Sequence, residues 1–131
     1  MNLTKSTSFD PKTLAKTGFQ TADKILASWG SSAQQSQNIL QLSKSSYHKF
    51  KANPDTTKLN DDQFERISCL LNIHQSLRTV FSNPANVSGF MRLENNNDYF
   101  AGRSPLEVIS SGRFGDLYEV AKRIDAVNFK G

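Results

Sequence analysis

The stretch Ile39 to Asn53, ILQLSKSSYHKFKAN, constrains the fold more than any other part of the chain. It reads as the end of one helix, a tight corner and a second helix. Ile39, Leu40 and Leu42 close an apolar run. The Ser43 hydroxyl is placed to accept a backbone N–H one turn later, as an N-cap does. Tyr47 and Phe50 follow at i,i+3 spacing, so both rings share one face of the second helix. Lys44, Ser45, His48, Lys49 and Lys51 are left for the outside. Pro54 lacks an N–H and biases Asn53 away from helix, which ends the element. A short polar helix after a corner, with hydroxyls at its start and lysines along it, is the pattern of a helix that reads a DNA groove. The plainer reading is an amphipathic helix with a solvated face.

Charge favours the first of these. The 131 residues carry a net charge of +4, and its distribution says more than its size. Residues 1–82 hold ten Lys and Arg against six Asp and Glu, whereas residues 83–131 hold six of each. The excess positive charge thus lies entirely in the half with the candidate DNA-reading helix, and the neutral half suits a different kind of partner. The length suffices for one compact domain, or two small ones sharing a core. No apolar run is long enough to span a bilayer, and MNLTKSTSF lacks the apolar segment of a secretory signal. A cytoplasmic location is expected, and the lone Cys69, unable to form an internal disulfide, agrees with a reducing compartment.

The order of helix signals predicts an all-α protein. Residues 1–9 are polar and read as a frayed end or short arm. Asp10-Pro11 starts a short helix that Gly18 ends. A second helix runs from Thr21 to Trp29 with Ile25, Leu26 and Trp29 inward and Gly30 beyond its end. Ser31 or Ser32 caps the next, AQQSQNILQL, with Ala33, Ile39, Leu40 and Leu42 on its apolar side. After the DNA-reading candidate and a turn over Pro54 to Lys58, Asn60 caps a long helix to about Phe81. Gln63 reaches back in a capping box, and Asp61 and Asp62 sit on the positive end of the dipole. Phe64, Ile67, Leu70, Leu71, His74, Leu77 and Phe81 mark its expected inner face. A short helix from Pro84 places Val87, Phe90 and Met91 inward. Ser104-Pro105-Leu106-Glu107 combines an N-cap, a proline at the first helical position and a capping-box glutamate. A closing helix from about Gly115 carries Leu117, Val120, Ala121, Ile124 and Val127 at helical spacing. The division expected is residues 1–82, with the helix-turn-helix, and residues 83–131.

Enzyme chemistry finds little support. One Cys and two His cannot form a zinc site. His74 reads as a hydrogen-bonded core histidine and Cys69 as an inert packed thiol. Gly112-Arg113-Phe114-Gly115 lacks the strand–turn–helix context of a phosphate loop and reads as a helix corner. The dipole explains Asp61, Asp62 and Glu65 better than acid–base catalysis does. No metal, cofactor or catalytic residue is expected. Tyr99, Phe100 and Phe114 suit a core or subunit interface, and Lys12, Lys16 and Lys24 are further candidates for DNA backbone contact.

This order of features resembles the Xre/MbcA/ParS antitoxin family, the partners of RES-domain toxins. The resemblance runs from about Gln20 to the end. Trp29, then Leu40-Gln41-Leu42-Ser43-Lys44-Ser45-Ser46-Tyr47-His48-Lys49-Phe50, Leu59 and Phe64-Glu65-Arg66-Ile67, look like its Xre-type helix-turn-helix. Asn95 to Asn97, Gly102, Ser104-Pro105-Leu106-Glu107-Val108-Ile109, Gly112 and Arg123-Ile124-Asp125 look like its toxin-binding domain. Where the family usually has a tryptophan before the Asn turn, this chain has Phe90-Met91.

The resemblance implies a type II antitoxin that blocks a RES-domain, NAD-consuming toxin and represses its own operon, NAD belonging to the partner. On that reading Lys44, Ser45, Ser46, His48, Lys49 and Lys51 face operator DNA, with a homodimer on an inverted repeat. Arg113, Phe114, Leu117, Lys122, Arg123, Phe129 and Lys130 face the toxin, the segment from Arg113 to Gly131 covering its active site. The alternatives are a stand-alone transcription regulator whose second half only dimerises, and an interaction adaptor without DNA binding.

Overall fold

The computed structural model of the chain describes residues 10–130, and of residues 128–130 the backbone alone. Seven α-helices and one 3-10 turn account for its regular structure: α1 (Pro11–Ser28), α2 (Ala33–Leu40), α3 (Lys44–Ala52), the 3-10 turn Pro54–Thr56, α4 (Asp61–Val80), α5 (Pro84–Arg92), α6 (Pro105–Ile109) and α7 (Phe114–Lys130). Among the described residues there is no strand. The expected arm at residues 1–9 lies outside the described residues.

Most helix starts follow from one capping side chain each. Asp10, Ser32, Ser43, Asn60, Asn83 and Ser104 all accept a backbone N–H from the first turn beyond them. Ser32 with Gln35, and Asn60 with Gln63, close complete capping boxes, whereas at α6 only the Ser104 half of the expected box forms, accepting from Glu107 N–H. Such caps satisfy amides that the helix itself cannot, each contributing about 1 kcal/mol.

The first two expected helices are one. Gly18 does not end α1, because Ala15, Phe19, Ala22, Ile25 and Leu26 form a single buried stripe through it. An interior glycine costs only about 1 kcal/mol, which a stripe of this size outweighs. A Cβ built at Gly18 would stand in ordinary contact, 3.7 Å, with Ile67 of α4, so α4 packs across this position and leaves room for a methyl group.

The inner face of α4 also differs from expectation. Leu71 is 39% exposed, while Ile73, absent from the predicted stripe, is fully buried. Phe64, His74 and Phe81 are half-buried. The cause is that α4 packs along both α1 and α7, so its buried residues (Gln63, Arg66, Ile67, Cys69, Leu70, Ile73, Ser76, Leu77) spread over about half of the helix circumference. A one-sided stripe is the signature of a helix with one buried face, and α4 is covered on two. The same tight packing reverses part of α2, where Ser36 and Gln37 are buried and Ala33 is exposed. One continuous core runs from Phe19 through Trp29, Leu70 and Met91 to Val120 and Ile124.

Candidate functional site

The corner between α2 and α3 is built from Gln41, Leu42 and Ser43. Gln41 takes the left-handed conformation, φ 56° and ψ 47°, which usually falls to glycine. Its side chain offsets some of that strain: Nε2 donates to the Asn38 carbonyl at 2.8 Å. The Leu42 N–H reaches back to the Gln37 carbonyl at 3.0 Å. From α4, Gln63 Nε2 donates to the Gln41 carbonyl at 2.9 Å, so the glutamine that caps α4 also pins the corner.

α3 is seated by two rings. Tyr47 and Phe50 both meet Phe19 of α1 edge-on, with centroids 5.9 and 5.7 Å away. The Tyr47 hydroxyl donates to Asp23 Oδ1 at 2.6 Å. Lys51 Nζ stands 3.4 Å from Asp23 Oδ2 and 5.5 Å from the Tyr47 ring centre. Burial, and next the bond to Asp23, raise the Tyr47 phenol above its ordinary range. The Asp23 carboxylate raises Lys51.

Lys44, Ser45, His48 and Lys49 are exposed on one outer face of α3, with Ser46 half-buried at its margin. Lys51, grouped with them from the sequence, leans instead toward Asp23. Lys16 is paired with Asp55 at 2.8 Å, while Lys12 and Lys24, both on α1, are exposed.

The second half is organised around two turns. Asn95 accepts from Gly102 N–H and donates its own N–H to the Arg103 carbonyl. Its Oδ1 accepts the Asn97 N–H at 2.9 Å. Arg103 closes the loop by donating to the carbonyls of Phe100 and Tyr99. The Asn run is thus a tied turn. At the α6–α7 corner, Asp116 accepts from Tyr99 Oη at 2.7 Å, from Ser111 Oγ at 2.8 Å and from Arg113 Nε at 3.1 Å.

Burial, followed by the bond to Asp116, pushes the Tyr99 phenol up to about 12. The Tyr99 hydrogen bond leads in holding the Asp116 carboxyl below its usual range. Unfolded tyrosine ionises near pH 10, so the Tyr99 contribution is complete below about pH 10 and lost as pH rises through about 12. Asp116 runs oppositely: its contribution is present above the unfolded value of about 3.9 and lost as pH falls through the folded one. Tyr99→Phe is expected to reduce the alkaline loss of stability, read from urea midpoints between about pH 9 and 12. A profile as steep as wild type would reject the role given to this bond.

Of the residues assigned to a protein partner, Arg113 and Lys122 are exposed and Phe114 and Arg123 half-buried. Arg113 pairs with Asp116 and Arg123 with Glu119. The Arg123 guanidinium lies 4.7 Å from the Tyr99 ring centre. Leu117 is 1% exposed. It belongs to the shared core, so it offers no surface to a partner. The side chains of Phe129 and Lys130 lie outside the described residues. Neither of the other two singled-out groups is exposed chemistry. Burial raises the Cys69 thiol. Burial, with Arg78 nearby, lowers His74, whose Nδ1 has no partner among the described residues, contrary to the hydrogen bond expected for it. Among those residues no three metal donors cluster, and no helix is long and apolar enough to cross a membrane.

Sequence reading missed Arg66, a guanidinium with 8% of its side chain exposed. Its Nη1 donates to the Ile39 carbonyl at 3.2 Å and to the Gly112 carbonyl at 2.9 Å, and its Nε to Asp62 at 2.8 Å. Phe114 lies against it, 5.9 Å from ring centre to Cζ. The available signal was a charged residue at helical spacing with Leu70 and Ile73, on a stripe otherwise apolar.

A helix-turn-helix is seated on a long central helix and followed by a helical unit with a tied Asn turn. A family model for the antitoxin Xre-like helix-turn-helix domain matches residues 8–72, and one for the antitoxin Xre/MbcA/ParS C-terminal toxin-binding domain matches residues 76–130. A protein of Sinorhizobium fredii (strain NBRC 101917 / NGR234), described as uncharacterized protein y4oB, is 32% identical over 109 residues, covering 82% of this chain and 78% of that one. The chain belongs to the Xre/MbcA/ParS antitoxin family and is an antitoxin of a toxin–antitoxin system.

Proposed function

We propose that the chain neutralises a RES-domain toxin that consumes NAD, and that it represses the operon encoding both. The two activities divide between residues 1–82 and residues 83–131. The observation that carries the DNA arm is the exposed face of Lys44, Ser45, His48 and Lys49 on a helix held rigidly from behind. On this reading Ser45, Ser46 and Lys49 meet base edges and Lys44 meets phosphate. A single small module binds DNA weakly, so a homodimer on an inverted repeat is the acting form. Lys51 reaches phosphate only by leaving Asp23. The toxin arm uses Arg113, Phe114, Lys122 and Arg123 with the segment that follows them, laid over the toxin's active site. The toxin carries the NAD chemistry and this chain binds no cofactor. The reading places the protein in the cytoplasm.

The test pairs two assays. Expression of the neighbouring reading frame alone is expected to arrest growth and deplete NAD, and co-expression with this chain to restore both. A duplex from upstream of the gene is expected to bind the purified chain. Lys44→Ala with Lys49→Ala should weaken that binding and lower the log–log salt slope by about 0.9 for each phosphate no longer neutralised. An unchanged affinity and slope would exclude α3 as the reading helix; a harmless neighbour would exclude the toxin.

A further inference from the structure

Tyr99, in the loop that the Asn turn ties, reaches both arginines of the face assigned to the toxin, one through an intermediary and one directly. Its hydroxyl donates to Asp116 Oδ1 at 2.7 Å. The other oxygen of that carboxylate holds Arg113, at 3.1 Å from Nε and 2.9 Å from Nη2. The Tyr99 ring centre stands 4.7 Å from the Arg123 guanidinium carbon, and Arg123 Nε is paired with Glu119 at 2.7 Å. Asp116, Glu119 and Arg123 follow one another at three- and four-residue spacing, so they share one face of α7, and Tyr99 lies along it.

Tyr99 is itself firmly held. Arg103 donates to its carbonyl at 2.8 Å and to that of Phe100 at 2.9 Å. Phe100, 2% exposed, meets the Tyr99 ring edge-on with centroids 5.3 Å apart. The two arginines remain open to a partner, with 71% and 41% of their side chains exposed. Among the described residues Arg113 Nη1 and both Nη atoms of Arg123 donate to nothing.

We infer that Tyr99 is a positioning residue for toxin binding: it fixes Arg113 through the Asp116 carboxylate and Arg123 through its own ring, and so leaves their unengaged Nη groups to acceptors on the toxin. The inference rests on the toxin face proposed above. A free arginine loses rotamer freedom when a partner captures it. One held in advance loses less, and the difference appears as affinity. The two routes are chemically distinct. The hydroxyl serves Arg113 alone and the ring face serves Arg123 alone, so substitution separates them. Phenylalanine keeps the ring without the donor, and leucine has neither.

The experiment measures, by isothermal titration calorimetry, the Kd of the full-length chain for the purified product of the neighbouring reading frame. Arg113→Ala and Arg123→Ala are each placed in three backgrounds: wild type, Tyr99→Phe and Tyr99→Leu. In wild type each arginine substitution is expected to weaken binding about tenfold. Tyr99→Phe alone should weaken it about threefold. In that background the cost of Arg113→Ala should fall to about threefold, while that of Arg123→Ala stays at about tenfold. In Tyr99→Leu both costs should fall to about threefold or less. Circular dichroism checks that each variant is folded, and Tyr99→Met, which keeps more volume, replaces a Tyr99→Leu that is not. An Arg113→Ala cost that is equal in wild type and Tyr99→Phe overturns the hydroxyl route. An Arg123→Ala cost that is equal in wild type and the ring-less background overturns the ring route. A Tyr99 with only a structural role gives both of those results, since binding then weakens with every arginine cost unchanged. No loss from either arginine substitution in the wild-type chain overturns the toxin face itself, and this inference with it.

Discussion

Arg66→Ala is expected to lower the free energy of unfolding by about 3 kcal/mol, the equivalent of removing a mid-sized core side chain. The substitution strips a hydrogen-bond partner from the Ile39 and Gly112 carbonyls at once. A buried polar group left unsatisfied costs about 1–3 kcal/mol. The ion pair with Asp62 adds little, since that carboxylate is 52% exposed and solvent screens it. Most of the loss therefore comes from the two carbonyls and from packing against Phe114. Urea denaturation checks the value. Asp62→Ala is the control, and its expected loss is under about 1 kcal/mol. Equal losses from both substitutions would place the energy in the ion pair and reject the strut described for Arg66.

Trp29→Ala has a larger expected effect, about 3–5 kcal/mol. Trp29 has no exposed surface, closes the end of α1 and belongs to the core that both halves share. Removing it opens a cavity where α1 turns into α2, beneath the corner at Gly30. Since small domains hold about 5–15 kcal/mol in total, the variant should lose a large share of its stability, read as a fall in the urea midpoint. Trp29→Phe separates volume from polarity. The indole Nε1 has no hydrogen-bond partner among the described residues, so phenylalanine loses some packing and removes an unsatisfied donor. Its expected loss is under half that of alanine. A phenylalanine variant as unstable as the alanine one would mean that the N–H is satisfied in solution.

Capping chemistry made most of the helix order readable without coordinates. Asp10, Ser43, Asn60 and Ser104 each announce a start within four residues, and the structure has a helix at each. The cap is a local hydrogen bond, so local sequence suffices. Gly18 misled for the complementary reason: whether an interior glycine ends a helix is decided by what packs across it, here Ile67, which lies far away in sequence. Leu71 and Ile73 exchanged places because a helix covered by two neighbours buries a stripe wider than, and rotated from, the one its apolar residues mark. The outer face of α3 was legible as a polar pattern. That Lys51 leans on Asp23, that Leu117 is turned inward and that Arg66 joins two corners are facts of tertiary contact. Only the oddity of a charge within an apolar stripe pointed toward the last of them.

The placing of α7 along α4 has a consequence for how the protein is made. A ribosome releases the chain from its N-terminus, so α1 to α4 emerge first and the flank of α4 that α7 covers waits for that later helix. The brace from Gly112 to Arg66 arrives equally late. A nascent chain that has not reached Ser110 and Gly112 therefore lacks the bonds these residues make with Asn38 and Arg66. The late contacts fall on Asn38 of α2 and Arg66 of α4, so the end of α2 gains its last support only after α6 has been synthesised.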